Sequence, residues 1–148
     1  MKLMSKVLIK KLNSLVELPA YKTDGASGMD LMAFIDKPIT LKPKSSCLIP
    51  TGLSVAFSRD FEIQIRSRSG LAAKNSISVL NAPGTIDSDY RGELKVILFN
   101  HGNEDFLINN KDRIAQMILT PIIKIDLEET DNLPDTVRGE GGFGSTGK

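Results

Sequence analysis

The chain carries one cysteine, Cys47, and one histidine, His101, among 148 residues. A lone thiol forms no internal disulfide, which removes the staple on which small secreted domains depend. His101, in Asn100-His101-Gly102-Asn103, has no partner histidine or cysteine at ligand spacing, which argues against a zinc site and leaves it as a turn residue. Long apolar runs are missing too. Stretches such as Met117–Leu119 are far too short to cross a bilayer, and the basic start over residues 1–11 lacks the apolar stretch and small-residue cleavage site of a secretory signal. A reducing, cytoplasmic setting and no membrane partner are the expectation. Charge of one sign is absent as well: 19 basic and 18 acidic residues leave a formal net charge of +1. No global field draws such a chain onto nucleic acid, so any anionic ligand must be gripped locally.

An apolar content of 41% with 25% charged residues suits a single domain over residues 1–148 with a real but modest core. Within it, alternation with a period of two dominates. Leu53, Val55 and Phe57 alternate with Ser54, Ala56 and Ser58, and Phe61, Ile63 and Ile65 alternate with Glu62, Gln64 and Arg66. Both stretches predict half-buried strands. The pattern recurs at Ile123, Ile125 and Leu127, while Pro38, Pro43, Pro50, Pro83 and Pro121 keep the elements short. These features predict an all-β chain folded as a jelly roll or barrel-like sandwich. One short helix is expected over Ser69–Asn75, SGLAAKN, with the serine as its cap. No repeat of fixed period is present. Five of the 12 glycines fall in the last ten residues, and so poor a source of burial predicts a tail, from about residue 135 to 148, that is mobile until something holds it.

Five stretches carry residue types suited to chemistry. Gly142 to Lys148, GFGSTGK, has the spacing of a phosphate-binding loop, yet neither the serine or threonine nor the helix that such a loop requires follows Lys148 in the sequence. Its chemistry is still that of an anion grip. Glycine amides approach phosphate closely, Ser145 and Thr146 add hydroxyls, Arg138 supplies a planar fork, and Phe143 is free to stack on a base. A floppy terminus without a role is the plain alternative. Asn81–Val96, NAPGTIDSDYRGELKV, reads as two pairing stretches around a turn, with Asp87 and Asp89 on one side if it is extended. An ionised carboxylate there can take a proton from water, although turn aspartates commonly only bond their own backbone. Arg66–Gly70, RSRSG, places two guanidiniums at the opening of the helix, either as an anion-receptive corner or as a solvated basic face. Asp112–Gln116, DRIAQ, predicts a strand with Ile114 inward and Arg113, Ala115 and Met117 on the other side. Gly25–Ala33, GASGMDLMA, offers Asp30 either to a hydrated Mg²⁺ or to a turn.

In order along the chain, ASGMDLMA, RSRSGLAAK, NAPGTIDSDYRG, KDRIAQM and RGEGGFGSTG resemble the five motifs of the homotrimeric dUTP diphosphatases, a match spanning Gly25 to Gly147. Any one of these strings is weak, but five in order are specific. The resemblance implies a jelly-roll subunit that trimerises with its copies and shares active sites between them. It implies hydrolysis of dUTP to dUMP and diphosphate, which limits uracil incorporation into DNA and supplies dUMP for thymidylate synthesis. By the same resemblance, Asp87 is the general base for water attacking the α-phosphorus, and Asp30 meets Mg²⁺ through water. Arg68, Ser69, Gly70 and Gln116 would hold the phosphate chain. Asn81, Gly84, Ile86, Tyr90 and Lys95 would take uracil and deoxyribose, with the backbone at Gly84 and Lys95 imitating a pairing partner and Tyr90 blocking a 2′-hydroxyl. Arg138, Phe143, Gly144, Ser145 and Thr146 would close as a lid, with Arg138, Ser145 and Thr146 on the γ-phosphate. Ser27 stands where many relatives have alanine and Glu140 at a variable place in the tail, and neither removes a catalytic group.

Two other readings compete. A dCTP deaminase, alone or joined to a diphosphatase activity, resembles the same fold and nucleotide chemistry, and the full tail motif with Phe143 argues against it. A non-catalytic binding module on the same scaffold is opposed by the presence of Asp87 together with all five motifs.

Overall fold

A computed structural model describes residues 5–144. Eleven strands and one helix follow one another: β1 Leu8–Lys11, β2 Met29–Met32, β3 Ile39–Leu41, β4 Ser46–Pro50, β5 Leu53–Ala56, β6 Phe61–Arg66, α1 Ser69–Asn75, β7 Ile77–Val79, β8 Gly84–Ile86, β9 Lys95–Asn100, β10 Phe106–Ile108 and β11 Arg113–Pro121. They form four antiparallel sheets, ordered β2-β11-β6-β8, β4-β9-β7, β1-β5 and β3-β10. The expected jelly roll is present with its one short helix, but every sheet keeps free edges, so the barrel-like part of the expectation stops short of closure.

Alternation builds the core where one face of a strand meets it. In β6, Ile63 and Ile65 are buried while Glu62 and Gln64 are half-covered; in β9, Val96, Leu98 and Asn100 point inward and Lys95 outward. Ile49, Leu98 and Ile108 are fully enclosed at the centre. Asn100 is the one side-chain amide so deeply buried, and both its nitrogen and its oxygen are engaged. Its amide nitrogen donates to the carbonyls of Leu41 (3.0 Å) and Glu104 (2.8 Å), and its oxygen accepts from the Gly102 amide (2.9 Å).

Four local expectations are corrected. Ser54 and Ala115 are buried alongside their apolar neighbours, because β5 and β11 are covered on both faces; a register shift between Arg113 and Ala115 also disturbs the alternation read for DRIAQ. The helix spans Ser69–Asn75 as expected, yet Arg68 occupies its cap position without a side-chain cap bond, and Ser69 lies inside the first turn. The two stretches flanking Asp87 do not pair with each other: β8 pairs with β6, and β9 pairs with β4 and β7. Finally, Ile123, Ile125 and Leu127 form no strand, and all three are 78% or more exposed. The loop before β8 contains a cis peptide at Ala82-Pro83.

Candidate active site

Because β8 and β9 belong to different sheets, the chain between them spans a gap, and that gap is an open slot of about 390 Å³. Its size falls within the ~300–1,000 Å³ usual for small-molecule sites. Ile65, Val79 and Ile97 give it apolar walls, and Asn81, Thr85, Asp87, Glu93 and Lys95 place polar groups around it. The slot gathers all six residues expected from Asn81 to Lys95, namely Asn81, Gly84, Ile86, Asp87, Tyr90 and Lys95. Gly84 is buried at its base. A Cβ there would lie 3.1 Å from Asn81 Nδ2 and 3.5 Å from Ile65 Cβ, so a side chain would press on two residues that line the slot.

Asp87 follows the last residue of β8 and is exposed at the slot. It opens a tight turn in which the Tyr90 amide donates to the Asp87 carbonyl (3.1 Å), so Asp87 and Asp89 do not share a side as in an extended strand. Arg91 braces that turn from behind, its guanidinium donating to the carbonyls of Ser88 (2.7 Å) and Tyr90 (3.0 Å). The Asp87 carboxylate thus stands on a braced turn at the edge of a solvent-open slot.

A second cluster forms where β2, β11 and β6 lie side by side. Asp30, Gln116 and Arg66 occupy one register row across the three strands, and Arg68, Ser69 and Gly70 continue past the end of β6. Arg68 Nε donates to Asp30 Oδ1 (2.9 Å) and its Nη1 to the Arg113 carbonyl (3.1 Å), while Arg113 Nη1 lies 3.5 Å from Asp30 Oδ2. Gln116 Nε2 donates to the Ser67 carbonyl (3.0 Å). Gly28 permits this packing, since a Cβ there would come within 3.0–3.1 Å of Ile118 and Gln116. Ser69 and Gly70 are exposed just after Arg68, with open space where a Gly70 side chain would stand, so the hydroxyl and amides there are open to an anion.

Among the described residues, no group of three or more His, Cys, Asp or Glu side chains is placed to hold a metal. The Asp30 carboxylate is already engaged by Arg68 and faced by Arg113. Such a donor set fits a magnesium ion carried on phosphate oxygens and its own waters, with Asp30 touching it through water, better than an ion caged by the protein. A smaller hollow of about 20 Å³ beneath Asp30, beside Val16 and Phe34, has room for about one water.

The two clusters are separate: the slot is lined by none of Arg68, Ser69, Gly70, Gln116, Arg138 or Phe143. In the tail, Arg138 turns back on itself, Nε donating to the Gly141 carbonyl (2.7 Å), and Phe143 is wholly exposed at a left-handed φ of 50°. Gly144 is also left-handed, at φ +86°; Ser145 and Thr146 lie outside the described residues. Sequence reasoning missed Glu93 and Arg113. Glu93 stands two residues before Lys95, and only its contacts with Gly52 and Lys95 reveal it; Arg113 stands 83 positions from Asp30 and is brought near by strand pairing. Two carboxyl and thiol shifts lie outside the slot: the Lys111 hydrogen bond and charge lower Glu17, and burial raises Cys47.

An open slot with a carboxylate at its edge, in a jelly roll that carries an exposed arginine-flanked corner elsewhere, places the chain among all-β proteins with a small-molecule-sized site. The chain belongs to the dUTPase family of hydrolases, whose family model matches residues 15–147. It is 58% identical over 130 residues to the deoxyuridine 5'-triphosphate nucleotidohydrolase of Treponema denticola, covering 88% of this chain and 90% of that one. It is 54% identical over 144 residues to the enzyme of the same name from Rickettsia bellii, covering 97% and 96%. Among solved structures, a point mutant of the dUTPase of Staphylococcus bacteriophage 80alpha with dUpNHpp superposes with a TM-score of 0.84 at 22% identity, over 98% of this chain and 100% of that one. The dUTPase from phage phi11 of S. aureus, which coordinates a structural Mg(II) ion, superposes with a TM-score of 0.78 at 18% identity, over 88% and 99%. At such identities the likeness establishes the shared fold. No helix among the described residues is long and apolar enough to cross a membrane.

Proposed function

We propose that this chain hydrolyses dUTP to dUMP and diphosphate as a single cytoplasmic domain, with Asp87 as the general base. The observation that carries the reading is the convergence of Asn81, Gly84, Ile86, Asp87, Tyr90 and Lys95 on one slot of about 390 Å³. The backbone at Gly84, with that of Lys95, meets the edge of uracil, and the narrow approach leaves no space for a 5-methyl group. Tyr90 packs on the deoxyribose. Asp87 orients and deprotonates the water that attacks the α-phosphorus, and diphosphate leaves.

Arg68, Ser69, Gly70 and Gln116 hold the phosphate chain, with Arg68 offsetting the charge that develops during transfer. Mg²⁺ bound with the triphosphate would supply charge neutralisation, and Asp30 would hold it through water. The tail, residues 135–148, closes over the bound nucleotide: Arg138, Ser145 and Thr146 reach the γ-phosphate, Gly144 lies between them along the chain, and Phe143 covers the base. Because slot, phosphate corner and tail stand apart within one chain, and Ile123, Ile125, Leu127, Leu133 and Val137 are all exposed, a trimer in which neighbours complete each site is the assembly best supported.

Diphosphate release from dUTP with Mg²⁺ is the direct test, run beside UTP, dTTP and dCTP. Wild-type protein is expected to prefer dUTP strongly, and Asp87→Asn to lose about 10³-fold or more in kcat. Equal rates in wild type and Asp87→Asn would remove Asp87 as base; ammonia release from dCTP would overturn the substrate.

A further inference from the structure

Tyr90 is 44% exposed, which is unusual for a side chain asked to form a wall. Its support comes from its own loop. The phenol donates to the Glu93 carbonyl (3.1 Å), and the ring lies so close over Gly92 that a Cβ there would overlap the ring and its hydroxyl. Glu93 is fastened in turn. Its Oε1 accepts the Gly52 amide (2.9 Å), and its Oε2 lies 3.9 Å from Lys95 Nζ. The next residue, Leu94, donates to the Leu53 carbonyl (2.7 Å) and accepts from both the amide (3.2 Å) and the hydroxyl (2.6 Å) of Thr51. Gly52 itself is buried at a left-handed φ of +70°, with no room for a side chain against Val16.

We infer that Gly92 and Glu93 are positioning residues that fix the Tyr90 ring as an unyielding wall of the slot, and thereby set the choice between a 2′-deoxy and a 2′-hydroxy nucleotide. This rests on the slot being a nucleoside site. A ribonucleotide differs there by a single oxygen, and steric rejection of so small a group works only if the wall does not yield. Gly92 provides the notch in which the ring lies, and Glu93 ties the ring's hydroxyl end to the turn between β4 and β5.

Substitution at Gly92 separates this role from folding. Its backbone lies outside the left-handed region, and the three nearest atoms a methyl group meets all belong to the Tyr90 side chain, which has solvent to swing into. Gly92→Ala is therefore expected to fold normally with the ring displaced. The chain has two tyrosines and no tryptophan, so in a Tyr21→Phe background Tyr90 alone reports by fluorescence. Two readouts are taken: the ratio of kcat/KM for dUTP over UTP, and the anisotropy and acrylamide quenching of Tyr90 without nucleotide. Gly92→Ala and Glu93→Ala are each expected to lower the ratio about tenfold, chiefly by lowering KM for UTP, and to make Tyr90 more mobile and more quenchable. Glu93→Gln, whose amide oxygen still accepts from Gly52, is expected to restore both. A folded Gly92→Ala protein with the ratio within about twofold of wild type and unchanged Tyr90 anisotropy would overturn the inference. Absence of diphosphate release from the wild type would instead count against the dUTPase reading, and the Tyr90 readout would still show whether Gly92 and Glu93 fix the ring.

Discussion

A single buried amide shows how individual residues hold the site in place. Asn100 ends β9 and bonds Leu41 at the end of β3, Glu104 in the loop before β10 and Gly102 beside it, so it joins two sheets at one point. Replacing it with alanine removes three hydrogen bonds, leaving the Leu41 carbonyl short of a partner in the interior and the Glu104 carbonyl and Gly102 amide short of one at partly covered positions. Each bond is worth about 1 kcal/mol net, and unsatisfied partners cost more, so Asn100→Ala is expected to destabilise the fold by about 2–4 kcal/mol. Urea denaturation at constant slope measures it; a loss below about 0.5 kcal/mol would mean that water satisfies those groups as well as the amide does. Nothing in the sequence singled Asn100 out, because a polar residue closing an apolar alternation reads as the strand's exit to solvent. Asp30 was legible only as a carboxylate. Its engagement by Arg68 and Arg113 depends on strands 38 and more positions apart meeting, which spacing along the chain does not encode.

At the scale of elements, alternation read well wherever one face of a strand is buried. β6 and the short helix α1 lie where the pattern of Ile63 and Ile65 and the run Leu71-Ala72-Ala73 put them. Pairing was a different matter, since alternation states which face is buried and not which neighbour lies alongside. The loop from β8 to β9 therefore reads as a hairpin in sequence and becomes a bridge between sheets in the fold, and that bridge opens the slot. Ile123, Ile125 and Leu127 have a strand's pattern without a strand's partner, so the same residues lie bare. Beyond them the tail makes only local bonds among the described residues, such as Arg138 to Gly141. Among the described residues, none from 135 to 144 belongs to the core, and removing residues 135–148 is expected to leave the melting temperature within about 2 °C. If the tail is a lid over the nucleotide, the same truncation lowers kcat/KM for dUTP by about 10²-fold or more. Full activity in the truncated chain would show the tail to be a terminus without a catalytic part.

The whole molecule raises the question that one chain leaves open, which is where the tail's partner slot lies. Among the described residues, slot, phosphate corner and tail do not meet within one chain, and a second copy is the simplest source of what each lacks. The assembly is expected to sediment at three times the 16.2 kDa of one chain. Mixing two inactive variants distinguishes shared sites from self-contained ones. One variant carries Asp87→Asn with an intact tail, and the other carries intact Asp87 but lacks residues 135–148. If each site takes its slot and its tail from different chains, unfolding and refolding the pair together in equal amounts regenerates about one competent site in four by random assortment. If both parts come from one chain, no arrangement of subunits restores a site, and the mixture stays as inactive as its components. The recovered rate should also vanish when the two variants are refolded separately and then combined, for as long as the trimers do not exchange subunits.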